Sequence, residues 1–79
     1  MKLPRDLSGA ELANHLCRFW EYAEIHQVGS HMILETQTPV PHRISVPAHN
    51  ALRIGTLNSI VRSVARHKGV EREVILYRL

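Results

Sequence analysis

The middle of the chain carries the pattern of a β-hairpin, and this pattern restricts the possible folds more than any other feature. Residues Ala23–Val28 alternate in character, and the apolar-rich segment His31–Thr36 follows after Gly29-Ser30. A glycine-serine pair between two such runs is typical of a tight turn that joins neighbouring strands. We therefore predict two antiparallel strands at the centre of the fold.

A third strand is predicted after the hairpin. Residues 37–41 contain Pro39 and Pro41, which interrupt any regular pattern. The next segment, His42–Val46, alternates again until Pro47 ends it. Together with the hairpin, this segment gives a three-stranded antiparallel sheet.

Helices are predicted before and after the three strands. Ser8 stands three residues before Glu11, which is the spacing of a capping box, and a helix over roughly Gly9–Trp20 follows. A second helix begins near Gly55-Thr56, where apolar residues recur at helical spacing, and ends at Gly69.

Val70–Leu79 has a weaker helical pattern and is predicted as a short third helix. The order is therefore α-β-β-β-α with a short C-terminal helix, which is an α+β architecture with the helices on one face of the sheet. The chain has 79 residues, so residues 1–79 are expected to form one small domain.

Composition excludes several broad classes of protein. No apolar run approaches the roughly 18 residues of a membrane span, and Met1–Asp6 lacks the apolar core of a signal peptide. Cys17 is the only cysteine, so no disulfide forms within the chain, and we expect a cytoplasmic protein. The formal net charge of +3 permits a polyanionic partner such as nucleic acid without requiring one.

Several kinds of functional site are also disfavoured. The six histidines follow no zinc-ligand spacing, and we expect neither a metal nor a cofactor. Gly29-Ser30-His31 is not the Gly-x-Ser-x-Gly elbow of hydrolases, and the chain has no glycine loop of the Walker type. The four aromatic residues lie outside the predicted strands, whereas an RNA-recognition motif needs aromatic residues on its strands.

The most suggestive residues lie in Gly29-Ser30-His31 and in the segment Val46–His49. His31 begins a strand directly after the Gly29-Ser30 turn, a placement suited to an exposed catalytic base. A polar hairpin histidine without a catalytic role is the alternative interpretation, and the same alternative applies to His49 in its loop after Pro47.

The start of the second helix is a further candidate site. Gly55 and Thr56 offer free backbone N–H groups at the positive end of the helix dipole, and Arg53 lies nearby. A phosphate group would fit there, although ordinary helix capping explains the same residues.

Five segments of this sequence carry a resemblance to a known family. They are Leu7–Leu12, the aromatic Tyr22, His26–His31, Val46–His49 and Ile54–Leu57. In this order and spacing, and over nearly the whole chain, they resemble the HicA toxins of bacterial and archaeal toxin–antitoxin pairs.

The resemblance implies a double-stranded-RNA-binding-domain-like fold and a metal-independent endoribonuclease that cleaves mRNA until a HicB-type antitoxin covers its active site. It also implies that the essential histidine is His31. This chain departs from the family at two positions. Glu21 stands where relatives usually have glycine, which predicts an altered or strained helix exit, and Met32 follows His31 where relatives often have a polar or basic residue.

The implied reaction assigns a role to each candidate residue. Without a metal, the RNA 2′-hydroxyl attacks the adjacent phosphorus, so the protein must supply a base, stabilise the phosphate charge and help the 5′-oxygen leave. We expect His31 to act as the base, or as base and acid, oriented by Gly29 and Ser30. Arg43 and Arg53 are candidate phosphate clamps, and His49 is a candidate second proton-transfer group.

Two other functions remain open at this point. The first is a non-catalytic RNA-binding module in which His31 only contacts a sugar or a phosphate. The second is an adaptor whose open sheet face docks a protein partner. In each case we expect the other four histidines, His15, His26, His42 and His67, to be surface or packing residues.

Overall fold

The computed structural model describes residues 3–79, so two residues of the predicted domain, Met1 and Lys2, lie outside the described residues. The elements are α1 (Gly9–Phe19), β1 (Ala23–Val28), β2 (His31–Thr36), β3 (His42–Pro47), α2 (Ile54–Lys68) and α3 (Arg72–Leu76). This order confirms the predicted α+β class and its central three-stranded antiparallel sheet.

The β1–β2 turn sets the register of the sheet. Gly29 has φ +59°, and Val28 pairs with His31 across the turn. A positive φ at the first central residue is typical of a type II′ hairpin turn, which glycine adopts without steric cost. Strand β2 lies in the middle of the sheet, where His31 also pairs with Pro47 of β3.

One face of the sheet is buried beneath the helices and the other is open. Met32, Leu34 and Val46 are buried, and they pack with residues of α1, α2 and α3 into one hydrophobic core. The alternate positions of β2 and β3 are exposed or half-buried, because successive strand residues point to opposite faces. All six residues of edge strand β1 are exposed.

Helix α1 begins as the capping box predicts. The Glu11 backbone N–H donates to Ser8 Oγ at 3.0 Å, and the Ser8 backbone N–H donates to Glu11 Oε1 at 2.9 Å. The helix ends one residue earlier than predicted, with Trp20 as its C-cap. Glu21 then has φ +63°, so the residue that stands in place of the expected glycine does adopt a left-handed conformation.

The last two helices differ slightly from the prediction. Helix α2 spans Ile54–Lys68, and its C-cap is Gly69, which has φ +70°. Helix α3 is shorter than the predicted Val70–Leu79, because the Val70 N–H donates to Ala65 O and so belongs to the cap of α2. Within residues 3–79, no helix has the length and apolar character that crossing a membrane requires.

Candidate functional site

The structure brings the two predicted histidine segments together at one end of the sheet. His31 opens β2 opposite Pro47, and the Ala48 N–H donates to the Ser30 carbonyl at 2.6 Å. His49 follows directly in the chain, so the Gly29–His31 turn and the loop after β3 form one surface. We call this surface the histidine edge. Its members Gly29, Ser30, His31 and His49 are all exposed.

The start of α1 packs against the loop of the histidine edge that follows β3. The Gly9 N–H donates to the His49 carbonyl at 2.9 Å, and the Gly9 α-carbon packs against the backbone of Pro47 and Ala48. A β-carbon at this position would overlap the Pro47 carbonyl, so only glycine allows this approach. Nothing in the local pattern around Ser8 and Glu11 indicates this second role of Gly9.

The six histidines fall into two groups according to how the fold uses their rings. His15 is buried, with Nε2 2.7 Å from the Ile75 carbonyl, and the rings of His42 and His67 also form hydrogen bonds. Within residues 3–79, no intramolecular hydrogen bond engages the rings of the remaining three, which are His26, His31 and His49. The expectation of a surface or packing role therefore holds for His15, His42 and His67, and His26 is a surface residue as expected.

His26 lies on the same sheet face as His31. Val28 pairs with His31 and His26 pairs with Ile33, so His26 is the diagonal neighbour of His31 across the β1–β2 pair. The sequence motifs assign His26 no catalytic role. The position of the turn would have placed it, however. Val28 pairs with His31, and His26, two residues before Val28, lies on the same face of the sheet as His31.

Arg43 does not lie beside His31. It pairs with Glu35 in the register of β2 and β3, which is four residues, or roughly 13 Å, along the strand from His31. Its Nε and Nη2 atoms donate to Glu35 Oε1 at 3.0 and 2.7 Å, and these bonds, followed by one from Gln37, lower the pKa of Glu35. A role as phosphate clamp stays a prediction, and it would require the Arg43 guanidinium to leave this carboxylate.

Arg53, Gly55 and Thr56 occupy the start of α2, as predicted. Arg53 is the N-cap, and its side chain forms no capping bond, so the first-turn N–H groups of the helix have no side-chain partner there. The Leu52 N–H donates to Leu7 O at 2.7 Å, which ties this segment to the chain just before α1. No contact among the described residues joins this helix start to His31, and its phosphate-binding role stays a prediction.

A polar cluster that the sequence did not predict occupies the opposite end of the sheet. Tyr22 Oη lies 2.9 Å from His42 Nδ1, the rings of His42 and His67 stack with centroids 4.3 Å apart, and Lys68 Nζ donates to Thr38 O at 2.8 Å. We call these residues the tyrosine cluster. It fastens the end of α2 to β3 and to the β2–β3 loop.

The ionisation of the tyrosine cluster reflects its burial. Burial raises the pKa of Tyr22 to about 12. Burial also lowers the pKa of His42, and the nearby His67 and Lys68 lower it further. The pKa of Lys68 is itself lowered by burial, which the carboxylate of Glu21 opposes. The geometry and these shifts describe a hydrogen-bonded packing unit whose histidine and tyrosine favour their neutral forms.

An apolar groove on the surface lies away from the histidine edge. It has a volume of about 660 Å³, and Phe19, Trp20, Val74 and Tyr77 are among the residues that line it. These residues belong to the end of α1 and to α3, whereas Pro47 and His49 contact the start of α1. Ten helical residues, or about 15 Å, separate Gly9 from Phe19, so the groove is not part of the candidate site.

Across residues 3–79, no group of three or more His, Cys, Asp or Glu side chains is placed to hold a metal ion. Comparison with known protein families, curated proteins and solved structures gives no match to this chain. The geometry of the histidine edge and the residue motifs therefore carry the functional argument.

Proposed function

We propose that this chain is a toxin ribonuclease of the HicA type, with a double-stranded-RNA-binding-domain-like fold, that cleaves mRNA without a metal ion. The observation that carries the proposal is the union of Gly29–His31 with Pro47–His49 at one edge of the sheet, through the His31–Pro47 pair and the Ala48–Ser30 hydrogen bond. His31 and Pro47 are 16 positions apart in the sequence, and the fold brings their two segments to one surface.

The chemistry starts with His31. Its imidazole accepts the proton of an RNA 2′-hydroxyl, and the resulting oxygen attacks the adjacent phosphorus to give a 2′,3′-cyclic phosphate and a new 5′-hydroxyl end. The turn supports this role, because Gly29 and the pairing of Val28 with His31 fix the direction of the His31 backbone. Ser30 and His49 flank the base, within the same hydrogen-bonded loop pair.

The RNA is held through its backbone in this proposal. The net charge of +3 is modest, and Arg53 with the free N–H groups of Gly55 and Thr56 would bind phosphates beyond the scissile one. A HicB-type antitoxin would inhibit the cleavage by covering the histidine edge. Gly29, Ser30, His31 and His49 are exposed there, so a partner protein can reach them. Both partners, like the cytoplasmic location, are parts of the proposal.

The experiment is an RNA-cleavage assay with purified protein in the presence of EDTA. We expect the wild-type protein to cut RNA into fragments that end in 2′,3′-cyclic phosphate, and His31→Gln to lose at least about 100-fold in rate. The matched control is His67→Gln, the same chemical change at the opposite end of the sheet, which is expected to retain the wild-type rate.

Three outcomes would contradict the proposal or its assignment of the base. RNA binding that weakens with salt and yields no fragments would favour a non-catalytic RNA-binding module. Full activity of a folded His31→Gln protein would show that another group is the base. Cleavage that requires added Mg²⁺ and leaves 3′-hydroxyl ends would exclude attack by the 2′-hydroxyl.

A further inference from the structure

We infer that His26 is the general acid of the RNA cleavage reaction and protonates the departing 5′-oxygen while His31 acts on the 2′-hydroxyl. This inference rests on the proposed function and extends it to a second catalytic residue. It assigns the proton-transfer role to a position on β1, where the sequence motifs gave no candidate.

The register of the hairpin places the two imidazoles on one face. His31 pairs with Val28, and His26 lies two residues before Val28 on the same strand and pairs with Ile33. Diagonal neighbours of this kind have their β-carbons about 7 Å apart, which leaves room for a phosphate group between the two rings. Both residues are exposed, so an RNA strand has access to them from the open face of the sheet.

The local backbone supports this placement. A register shift between Glu24 and His26 leaves Ile25 as the extra residue of a β-bulge, while the pairs from His26 to the turn stay regular. A bulge bends its strand and changes the direction of nearby side chains. His26 is the first residue after the bulge that pairs regularly with β2. Its side chain therefore lies on the same face of the sheet as that of His31.

His49 is the competing candidate, and its position differs from that of His26. It lies in the loop beyond the end of β3, outside the strand register, and its backbone carbonyl accepts from the Gly9 N–H of α1. His31 occupies the open face of the sheet, because the next residue, Met32, is buried in the core. The strand register thus places His26, but not His49, on the face of His31, and His26 is the candidate that the geometry supports.

The proton and bond changes balance without any other reactant. His31 takes the proton of the 2′-hydroxyl, the bond between the 2′-oxygen and phosphorus forms, and the bond between phosphorus and the 5′-oxygen breaks. The 5′-oxygen leaves with the proton of the His26 imidazolium. The products are a 2′,3′-cyclic phosphate, a 5′-hydroxyl, a protonated His31 and a neutral His26, and water exchanges the two protons before the next turnover.

The test replaces the 5′-oxygen at the mapped cleavage site of an RNA oligonucleotide by sulfur. A thiolate leaves without protonation, because thiols ionise near pH 8.5 and alcohols do not. We expect His26→Gln to cut the normal RNA at least about 100-fold more slowly than wild type, and to cut the sulfur-containing RNA within about threefold of wild type. His31→Gln is expected to be slow on both RNAs, and His67→Gln serves as the unaffected control.

Each other result has a defined meaning. If His26→Gln cuts normal RNA at the wild-type rate, or stays slow on the sulfur-containing RNA, His26 is not the acid although the proposed function stands. If His49→Gln is the variant that sulfur rescues, the acid is His49. If wild-type protein cuts neither RNA, the proposed function fails and this inference fails with it. Thermal unfolding of each variant separates loss of chemistry from loss of fold.

Discussion

Gly9 is expected to tolerate no side chain, although it occupies the first turn of a helix, where alanine is usually favourable. The Cβ of Gly9→Ala would overlap the Pro47 carbonyl oxygen and would lie 2.9 Å from the Pro47 carbonyl carbon and 3.3 Å from the Ala48 α-carbon. All three atoms belong to the backbone, so a side-chain rotation cannot relieve the overlap. The start of α1 must move away from the loop that carries His49.

The cost follows from two contributions. Overpacking against a rigid backbone costs about 1–3 kcal/mol, and loss of the hydrogen bond from Gly9 N to His49 O costs about 1 kcal/mol. The entropic advantage of alanine over glycine returns about 0.5 kcal/mol. We expect a net loss of about 1.5–3.5 kcal/mol, which lowers the melting temperature of a chain of this size by roughly 6–28 °C.

Thermal and urea unfolding followed by circular dichroism measures this loss, and the chain provides a matched control. Gly55 also lies in the first turn of a helix, and a β-carbon built there meets nothing within 4 Å. Gly55→Ala is therefore expected to be neutral or to stabilise by up to about 1 kcal/mol. Equal melting temperatures for the two variants would refute the close packing of α1 on the histidine edge.

Two further predictions concern the opposite end of the sheet. Glu21→Gly is expected to stabilise the fold by about 0.5 kcal/mol. Removing the strain of the left-handed conformation gains about 1–2 kcal/mol, which exceeds the loss of the exposed hydrogen bond from Thr38 Oγ1 to Glu21. An unchanged or lower urea midpoint would contradict this prediction. The pH dependence of stability should have two limits. The lowered pKa of His42 means that only the unfolded chain binds its proton just below about pH 6.5, so stability falls on acidification, and His42→Gln should flatten this fall. The Tyr22 pKa of about 12 means that the unfolded chain ionises first above about pH 10, so stability falls there as well; Tyr22→Phe should remove that alkaline loss, and its persistence would assign the loss elsewhere.

The parts of the fold that the sequence predicts correctly are those that short-range rules control. The capping box places the start of α1 at Gly9, and the alternating runs around Gly29-Ser30 give β1 and β2 with their observed bounds. Gly69 ends α2 as a left-handed cap, as its position after the last cations predicts. Each of these features depends on residues within a few positions of one another.

The parts that the sequence does not predict depend on residues that are distant along the chain. Tyr22 and His42 are 20 residues apart, and the hydrogen bond that joins them exists only because the sheet and α1 bring them together. His67 then stacks on His42 from α2. No local pattern marks such a cluster, since each member alone resembles an ordinary surface residue.

The division of the histidines links these two observations to the proposed function. A histidine whose ring nitrogens are bonded within the fold is committed to one arrangement, as His15 is through the Ile75 carbonyl and His42 through Tyr22. A histidine that transfers protons must keep a ring nitrogen free for its substrate. The three rings without such bonds among the described residues come from two places in the chain: His26 and His31 from the β1–β2 hairpin, and His49 from the loop after β3. The core, the caps and the tyrosine cluster are complete without these three rings, which are exposed. The proposed active site at the histidine edge would give these exposed rings a common role.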